Sequence, residues 1–198
     1  LLKRAAADQD LLEGCTALPQ PRAEKEEKVC IIGAGPAGLA AAYHLRLLGY
    51  GVTIFDGLSV MGGMAAVGIP DYRLPKEVLL HETSLIKRMG IEVCLNRRIE
   101  HLKWDDLKKK GFKALFLAIG AHQGADIGLS GENDVVEGFE QGIDFLRSIQ
   151  ECCVDIKPVK KVFILGGGNV AIDCARSCLR LGFSHVEILY RRSRKEMP

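Results

Sequence analysis

The stretch at residues 28–56, KVCIIGAGPAGLAAAYHLRLLGYGVTIFD, decides how this chain folds. Its first apolar run, residues 29–32, is typical of a buried parallel strand. That run leads directly into the spacing G-x-G-x-x-G, and a segment rich in helix formers follows at 39–48. A second apolar run, 52–55, ends at Asp56. The pattern predicts a strand, a tight glycine turn, a helix and a second strand tipped by a carboxylate.

Each glycine of this motif has a predicted physical role. Gly33 allows a sharp turn out of the strand, Gly35 leaves room for a pyrophosphate, and Gly38 lets helix and strand pack closely. The helix N-terminus adds unpaired N–H groups and the positive end of its dipole. Asp56 is placed to accept hydrogen bonds from a ribose. The combination predicts a dinucleotide site; the alternative is an α/β protein whose glycines only make a tight turn.

Composition narrows the class of protein and its partners. The chain has 198 residues, 47% of them hydrophobic, and a formal net charge of +2 from 27 basic and 25 acidic residues. One or two domains are expected, with ample material for a core. The charge balance gives no argument for a nucleic-acid partner or a membrane surface. No apolar run approaches the roughly 20 residues that a spanning helix needs.

The cysteines indicate a reducing compartment. Their number is odd and none forms a C-x-x-C pair, so we expect a cytoplasmic protein without a disulfide framework or a metal site of its own. The missing pair also argues against a dithiol mechanism. Cysteines in the predicted strands and helix are expected to pack as small core residues, whereas two adjacent ones would point apart in a linker. The seven are Cys15, Cys30, Cys94, Cys152, Cys153, Cys174 and Cys178.

A long loop at 57–75 follows the first motif, and it is rich in glycine and proline. So long an irregular segment is usually functional or disordered, and its apolar residues argue against disorder. Gly62 and Gly63 would let the backbone lie against something flat or charged. Arg73, beside Tyr72, could reach a phosphate or stack on a ring; the alternative is a solvated surface residue.

Alternating helix and strand patterns continue beyond this loop. The fourth predicted strand, at 114–119, is fully apolar and stops at Gly120, where a ligand or a crossing chain could pass close to the backbone. The predicted elements are a helix at 76–89, a strand at 91–95, a short helix at 105–110 and a strand at 114–119.

The opening pattern then repeats. An apolar run at 161–165 leads into Gly166-Gly167-Gly168-Asn169-Val170-Ala171, the spacing G-x-G-x-x-A, followed by a helix at 171–181 and a strand at 185–190. This second strand ends in Tyr190-Arg191-Arg192, where the first ended in an acid. A carboxylate would repel a 2′-phosphate, whereas arginines bind it bidentately. We therefore predict NADP(H) at the second turn and a cofactor with a free ribose hydroxyl, such as FAD, at the first. A solvated basic loop at 191–195 is the alternative.

These patterns define four segments. Residues 1–27 form an arm or linker, 28–125 the N-terminal part of an FAD-binding domain, 126–158 a connection with a helical patch at 142–151, and 159–198 a partial NAD(P)-binding domain. The fold class is α/β, with a Rossmann-like domain followed by the start of a second one. The second domain would have only two strands and one helix, which is too little sheet to bury that helix. We therefore expect this chain to be a piece of a longer one.

Several longer motifs resemble one family closely. GAGPAGLAAAYHL, GGM, GIPDYRLPKEVL, LAIGA, GGGNVAIDCARSCLRLG and YRRSRKEMP look like the glutamate synthase small-subunit family. That family includes the NADPH-oxidising half of dihydropyrimidine dehydrogenase and related ferredoxin–NADP flavoproteins. The resemblance covers residues 28–198, and the GIPDYRLP and YRRSRKEMP pieces are specific to it.

The resemblance implies a set of cofactor-binding residues. FAD would lie on the first turn and the loops beside it, with strand residues near Ile99 by the adenosine, and NADPH on the second turn and its arginines. The FAD set is Gly33, Gly35, Pro36, Ala37, Gly38, Asp56, Gly63, Met64, Arg73, Ile99 and Gly120; the NADPH set is Gly167, Gly168, Asn169, Val170, Arg191 and Arg192.

The implied reaction is hydride transfer from NADPH to FAD, with electrons passing onward to iron–sulfur clusters. This step requires no side-chain acid or base, so no catalytic residue is predicted. Only Cys15 precedes the first strand, so the clusters are expected in a missing segment or a partner: an iron–sulfur or large catalytic subunit, or a ferredoxin. Alternatives are a flavin disulfide reductase, a monooxygenase, or a non-catalytic cofactor-binding subunit.

Overall fold

The computed structural model describes residues 2–14, 18–124, 128, 138–151 and 160–197. The predictions for Cys15, Cys152 and Cys153, and for parts of the connection at 126–158, lie outside these residues. The helices are α1 (Leu2–Glu13), α2 (Pro36–Leu47), α3 (Met64–Val67), α4 (Lys76–Arg88), α5 (Trp104–Lys109), α6 (Gly142–Gln150) and α7 (Asn169–Arg180). The strands are β1 (Lys28–Ile32), β2 (Gly51–Phe55), β3 (Glu92–Cys94), β4 (Phe112–Leu117), β5 (Lys161–Leu165) and β6 (His185–Leu189), and a 3-10 turn lies at Arg194–Glu196.

The chain divides into two compact units. The first comprises Leu1–Ala66 and Leu74–Gly120, and the second comprises Val67–Arg73 and Ala121–Pro198. The segment Val67–Arg73 therefore groups with the second unit, although it lies within the long loop that follows the first motif.

The first unit is built on a parallel sheet of order β3-β2-β1-β4. Strand β1 is central and pairs in register with β2, from Lys28 opposite Gly51 to Ile32 opposite Phe55. Its pairing with β4 shifts by one residue between Lys28 and Val29. Because all four strands run the same way, their carboxyl ends meet at one edge of the sheet, where the glycine turn begins.

Helices cover both faces of this sheet because the side chains of a strand alternate. Ile31 and Ile54 point to the face covered by α2 and α4, and both are fully buried. Cys30 points to the opposite face and packs with Leu107 of α5 and Phe112. The apolar runs of the first motif thus become central strands that are buried on two sides.

The second unit contains the parallel pair β5–β6 with α6 and α7 on one face. Phe145 and Leu146 of α6 pack with Cys174 and Cys178 of α7 and with Phe183. Helix α6 confirms the helical patch predicted at 142–151 within the connection, and it supplies half of the helical layer, a role that the sequence did not indicate. The opposite face of the two strands is exposed, and its apolar residues are Phe163, Leu165 and Leu189.

Several element boundaries differ from prediction for identifiable reasons. Helix α2 begins at Pro36, three residues before the predicted start, because proline is favoured in the first turn of a helix. The predicted irregular loop at 57–75 contains the short helix α3. Strand β4 is apolar but lies at the edge of its sheet, so Phe116 and Leu117 are exposed.

No helix within the described ranges is long and apolar enough to cross a membrane.

Truncating the central strand should unfold the first unit more readily than truncating its surface. We expect Ile31→Ala to lower the free energy of unfolding by about 2–5 kcal/mol, because the fully buried side chain leaves a cavity between sheet and helices. The measurement is chemical denaturation followed by circular dichroism. Leu80→Ala is the matched control: Leu80 is 62% exposed on α4, and its loss should change stability by no more than about 0.5 kcal/mol. Equal losses in the two variants would contradict the assigned core.

Candidate functional site

The first glycine turn is fixed by its backbone. Gly33 directly follows β1 with a φ of +110°, and its N–H donates to the carbonyl of Phe55 at 2.8 Å. A Cβ on Gly33 would overlap the carbonyl oxygen of Ala118, and a Cβ on Gly38 would overlap that of Gly33. Both positions therefore require glycine for reasons internal to the protein, as the motif predicted.

Gly35 is different because none of its neighbours in the described part of the chain requires a glycine there. It caps the N-terminus of α2 with an extended backbone (φ −75°, ψ 179°) that any residue adopts. Among the described residues, the nearest atom to an added Cβ is the Cα of Gly63, at 3.8 Å. The first helical residues, Pro36 and Ala37, are exposed at this end. The bare backbone leaves a cradle beside a helix N-terminus, the environment that a phosphate prefers.

The second glycine pair of the loop lies against this turn. The N–H of Gly62 donates to the carbonyl of Ala34 at 2.8 Å. Gly63 has a φ of +54°, and a Cβ there would come within 2.8 Å of the Cα of Gly35. Met64 then begins α3. The sequence predicted that this loop approaches a ligand, but not that its glycines are also needed for backbone contact with the first turn.

Asp56 holds the turn together. Its Oδ2 accepts the N–H of Ala34 at 2.5 Å, and its Oδ1 accepts the N–H of Leu58 at 2.7 Å. The carboxylate is half-buried at the end of β2. Because each carboxylate oxygen carries two lone pairs, acceptor capacity remains for another donor. The carboxylate therefore has a structural role that the sequence did not indicate.

The other residues predicted for the first site lie on loops. Ile99 was expected in a strand, and that expectation was wrong: β3 ends at Cys94, and the chain turns at Asn96, which has a φ of +55°. The N–H of Arg97 then donates to the carbonyl of Asp56 at 2.7 Å, so this loop crosses the end of β2. Gly120 lies exposed just beyond β4, with a φ of +70°.

The second glycine turn has the same backbone design. Gly166 follows β5 with a φ of +122°, and its N–H donates to the carbonyl of Leu189 at 2.9 Å. Gly168 caps α7 with φ −84° and ψ −179°, and its carbonyl accepts the N–H of Ile172. No described atom lies within 4 Å of a Cβ added at Gly168. Asn169 and Val170 are exposed beside this open face.

The surroundings of this turn differ in chemistry from those of the first. The ring of Tyr190 lies against Gly167, where an added Cβ would be 2.6 Å from it. Arg191 and Arg192 follow and are both exposed. Neither arginine forms a hydrogen bond or ion pair with another residue in the described part of the chain.

A cluster around Tyr72 and Arg73 is the feature that the sequence did not predict. Arg73 Nη1 pairs with Oδ2 of Asp173 in α7 at 2.6 Å, and the Asp173 side chain is only 7% exposed. The Tyr72 hydroxyl lies 3.4 Å from Asp173 Oδ1. The Tyr72 ring contacts Arg176 and Arg180, whose guanidinium carbons lie 4.7 and 3.9 Å from its centroid. The Arg73 guanidinium, which the sequence predicted could reach a phosphate, thus already donates to a buried carboxylate.

Burial also explains the acid–base properties of this cluster and of the cysteines. Burial, aided by the Asp173 carboxylate, raises the pKa of the Tyr72 hydroxyl above its usual range. Burial, followed by the neighbouring Cys178 and Asp173, raises the pKa of Cys174 to about 12. Burial likewise raises the pKa of Cys178 and of Cys30. The prediction that these three cysteines pack as core residues is confirmed, whereas Cys94 is only half-buried.

With this geometry established, comparison with known proteins identifies the family. A family model described as pyridine nucleotide-disulphide oxidoreductase matches residues 27–197. The chain belongs to the pyridine nucleotide-disulphide oxidoreductase family.

Several subunits of known oxidoreductases are similar to this chain. The chain is 45% identical over 205 residues to the NADPH-Fe(3+) oxidoreductase subunit beta of Geobacter sulfurreducens, covering 100% of the chain and 30% of the relative. It is 49% identical to the NADP(+)-dependent formate dehydrogenase subunit beta of Moorella thermoacetica, covering 87% and 24%. It is 37% identical to the glutamate synthase [NADPH] small chain of Escherichia coli, covering 87% and 38%. The predicted resemblance is confirmed, and the chain spans less than two fifths of each relative's length.

Solved structures confirm the predicted fold class. FprA from Mycobacterium tuberculosis, in complex with NADPH, matches with a TM-score of 0.72 at 19% identity, covering 87% of this chain and 45% of that one. A 2-naphthoyl-CoA reductase matches with a TM-score of 0.64 at 26% identity, covering 85% and 24%. At 19% identity, the likeness to FprA is evidence of a shared fold alone.

The Arg73–Asp173 pair should be worth more than a surface ion pair. We expect Arg73→Ala to lower the free energy of unfolding by about 1–3 kcal/mol, because it leaves the Asp173 charge buried and unpaired. Adding Asp173→Asn should recover part of that loss, since the amide carries no charge. A double-mutant cycle measured by chemical denaturation tests the coupling. Arg4→Ala, which removes the exposed pair with Asp8, is the control and should cost under about 0.5 kcal/mol. Additive losses at 73 and 173 would refute the pairing.

The buried cysteines should resist alkylation. At pH 8 the Cys174 thiol, with its pKa of about 12, remains protonated, and only the thiolate reacts. We expect iodoacetamide to leave Cys174 and Cys178 unlabelled in the native protein and to label both in denaturant. Peptide mass spectrometry gives the extent of labelling, with the half-buried Cys94 as the internal reference. Faster labelling of Cys174 than of Cys94 in the native state would show that the assigned burial is wrong.

Proposed function

We propose that this chain is the cofactor-binding part of an NADPH-dependent flavoprotein oxidoreductase. FAD lies at the first glycine turn, NADPH lies at the second, and electrons leave to a partner that holds iron–sulfur clusters. One observation carries the proposal: two turns share a backbone design with an open glycine at each helix start, yet end in opposite chemistry at the adjacent strand tip. Names of the relatives support it, since two are NADPH enzymes and a third uses NADP(+).

The first turn fits the pyrophosphate of a flavin cofactor. Any side chain at residue 35 would occupy the space beside the start of α2. The described neighbours would leave room for that side chain, so they do not explain the glycine. The N–H groups at the start of α2, from Ala37 and Gly38, would face the phosphates together with the positive end of the helix dipole. Asp56 keeps lone pairs for ribose hydroxyls while its two present hydrogen bonds hold it in place. The further residues proposed to line this site are Gly33, Pro36, Gly63, Met64, Ile99 and Gly120.

Arg73, within the second unit, offers fewer free donors to a phosphate than the sequence suggested. One of its guanidinium nitrogens is held by Asp173, and the side chain remains 41% exposed. A guanidinium has five N–H donors, so the others remain for a phosphate. In this proposal Asp173 orients the Arg73 guanidinium and leaves its remaining donors for a phosphate.

The second turn fits a nucleotide that carries a 2′-phosphate. Gly167, Gly168, Asn169 and Val170 would present the open backbone and the start of α7 to the pyrophosphate. Arg191 and Arg192 are exposed and have no protein partner in the described ranges, so their donors remain for an anion. Planar guanidinium groups bind phosphate bidentately, which favours NADP(H) over NAD(H) at this turn.

The protein's task in this reaction is positioning rather than proton transfer. When bound, the two cofactors would supply the redox chemistry, a hydride transfer from NADPH to FAD. No residue at either turn is needed as an acid or base, and the turns fix the two nucleotides by their phosphates and riboses. The printed names of three relatives are subunit names, which supports a partner that accepts the electrons: an iron–sulfur or large catalytic subunit, or a ferredoxin.

Paired alanine substitutions test the two sites independently. Gly35→Ala should fold, because its backbone is extended and its Cβ meets no close atom, but should lose FAD at least roughly tenfold in affinity through overlap with the pyrophosphate. Gly168→Ala should retain FAD and lose NADP(H) affinity by a similar factor. Each variant is the control for the other. Flavin absorbance measures FAD content, and isothermal titration calorimetry measures NADP⁺ binding.

The same samples separate the proposed enzyme from its alternatives. Bleaching of the bound flavin by NADPH is expected in the unmodified protein and should be weakened in Gly168→Ala. Bound flavin that ignores NADPH would support a binding-only subunit instead. Retention of both cofactors by both alanine variants would remove the basis of the proposal.

A further inference from the structure

The loop after β3 lies against the tip of β2. The N–H of Asp56 donates to the carbonyl of Cys94 at 3.0 Å, and the N–H of Arg97 donates to the carbonyl of Asp56 at 2.7 Å. A third bond runs from the N–H of Asn96 to the carbonyl of Leu58 at 2.9 Å. These backbone hydrogen bonds fix the loop beside the residues that follow the strand.

Within this loop the stem of Arg98 packs on Gly57. The three atoms nearest to a Cβ added at Gly57 all belong to Arg98, and its Cβ and Cγ lie 3.3 and 3.5 Å from that position. The φ of Gly57 is not positive, so its backbone does not demand a glycine. The missing side chain at residue 57 therefore lets the arginine stem lie close to the backbone immediately after Asp56.

The guanidinium groups of this loop have free donors. Arg97 and Arg98 are exposed, and neither side chain forms a hydrogen bond or ion pair with another residue in the described ranges. The carboxylate of Asp56 is engaged elsewhere, because it accepts the N–H groups of Ala34 and Leu58. A stem that is already packed loses less freedom when its head group meets a ligand, so Arg98 is partly ordered for binding.

The place of Arg98 beside the first turn indicates which part of a nucleotide it meets. In the proposed site the pyrophosphate lies at Gly35 and the ribose hydroxyls lie at Asp56. The base of a nucleoside is attached at C1′, on the opposite side of the sugar from the 5′-phosphate. The base therefore continues past Asp56, over Gly57 and towards Arg98.

We infer that Arg98 stacks its guanidinium on the adenine of the dinucleotide bound at the first turn. This inference rests on the proposed function, because it assumes that FAD lies there. A guanidinium is planar, weakly hydrated and positively charged, so it stacks on an aromatic face better than an ammonium does. The contact is separate from those of the helix start and of Asp56, which hold the phosphates and the ribose.

Two neighbouring arginines provide the test and its control. In the full-length protein freed of flavin, Arg98→Ala should weaken FAD binding by roughly five- to thirtyfold, because the base loses its stacking partner. Arg97→Ala removes the same charge one residue away and should weaken binding by less than about twofold, because only Arg98 packs on Gly57. Arg98→Lys keeps the charge without the plane and should recover little of the loss. Quenching of flavin fluorescence gives the dissociation constants without depending on turnover.

Salt separates stacking from attraction between charges. A stacked arginine keeps its contribution when ionic strength rises, whereas attraction between the phosphates and an exposed charge is screened. The ratio of FAD dissociation constants between Arg98→Ala and the unmodified protein should therefore persist from about 50 mM to about 500 mM sodium chloride. Equal losses in the two alanine variants, or a ratio that falls to about one at high salt, would overturn the inference.

The outcomes distinguish this inference from the proposed function. If the unmodified protein binds no FAD, the flavin assignment of the first turn fails. If it binds FAD and Arg98→Ala binds FAD equally well, Arg98 does not contact the base and the inference alone is overturned. Thermal melting identifies a variant that does not fold; Arg98→Ser then replaces Arg98→Ala and is judged by the same ratio.

Discussion

A single backbone hydrogen bond organises each half of this chain. The N–H of Gly33, donated to the carbonyl of Phe55, ties the exit of one strand to the end of its parallel neighbour. The chain must then turn with a positive φ and enter a helix whose first N–H groups have no partner within that helix. Gly166 and Leu189 make the same bond in the second unit. Everything proposed for the two sites depends on this junction, because it brings a bare helix start and a strand tip to one edge.

The glycines at these junctions fall into two physical groups. Gly33 and Gly38 are required by the protein itself, since a Cβ at either position would overlap a backbone carbonyl. Gly167 belongs to the same group, because the Tyr190 ring lies where its side chain would be. Gly35 and Gly168 have ordinary extended backbones. A Cβ would make only an ordinary contact with Gly63 at the first position and would meet no described atom within 4 Å at the second, so nothing in the described chain explains the missing side chains. A glycine that no described neighbour requires indicates a backbone surface left free for a ligand.

Local sequence patterns predicted the strands, the turns and the two strand tips, because those features depend on neighbouring residues. The pairing of Arg73 with Asp173 joins residues a hundred positions apart, and no pattern along the chain announces it. The role of α6 in the second core was missed for the same reason. The family resemblance, and not a local pattern, placed strand residues near Ile99, whereas β3 ends at Cys94 and the chain turns at Asn96.

Asp56 and Tyr190 follow the second strand of each pair and are not part of the glycine turns beside them, and this separation has an evolutionary consequence. Asp56 and Tyr190 can differ while the strand–turn–helix geometry around Gly33 and Gly166 stays the same. Substitution of one strand-tip side chain can therefore change the chemistry presented beside a turn, while the backbone junction that holds strand, turn and helix together is retained.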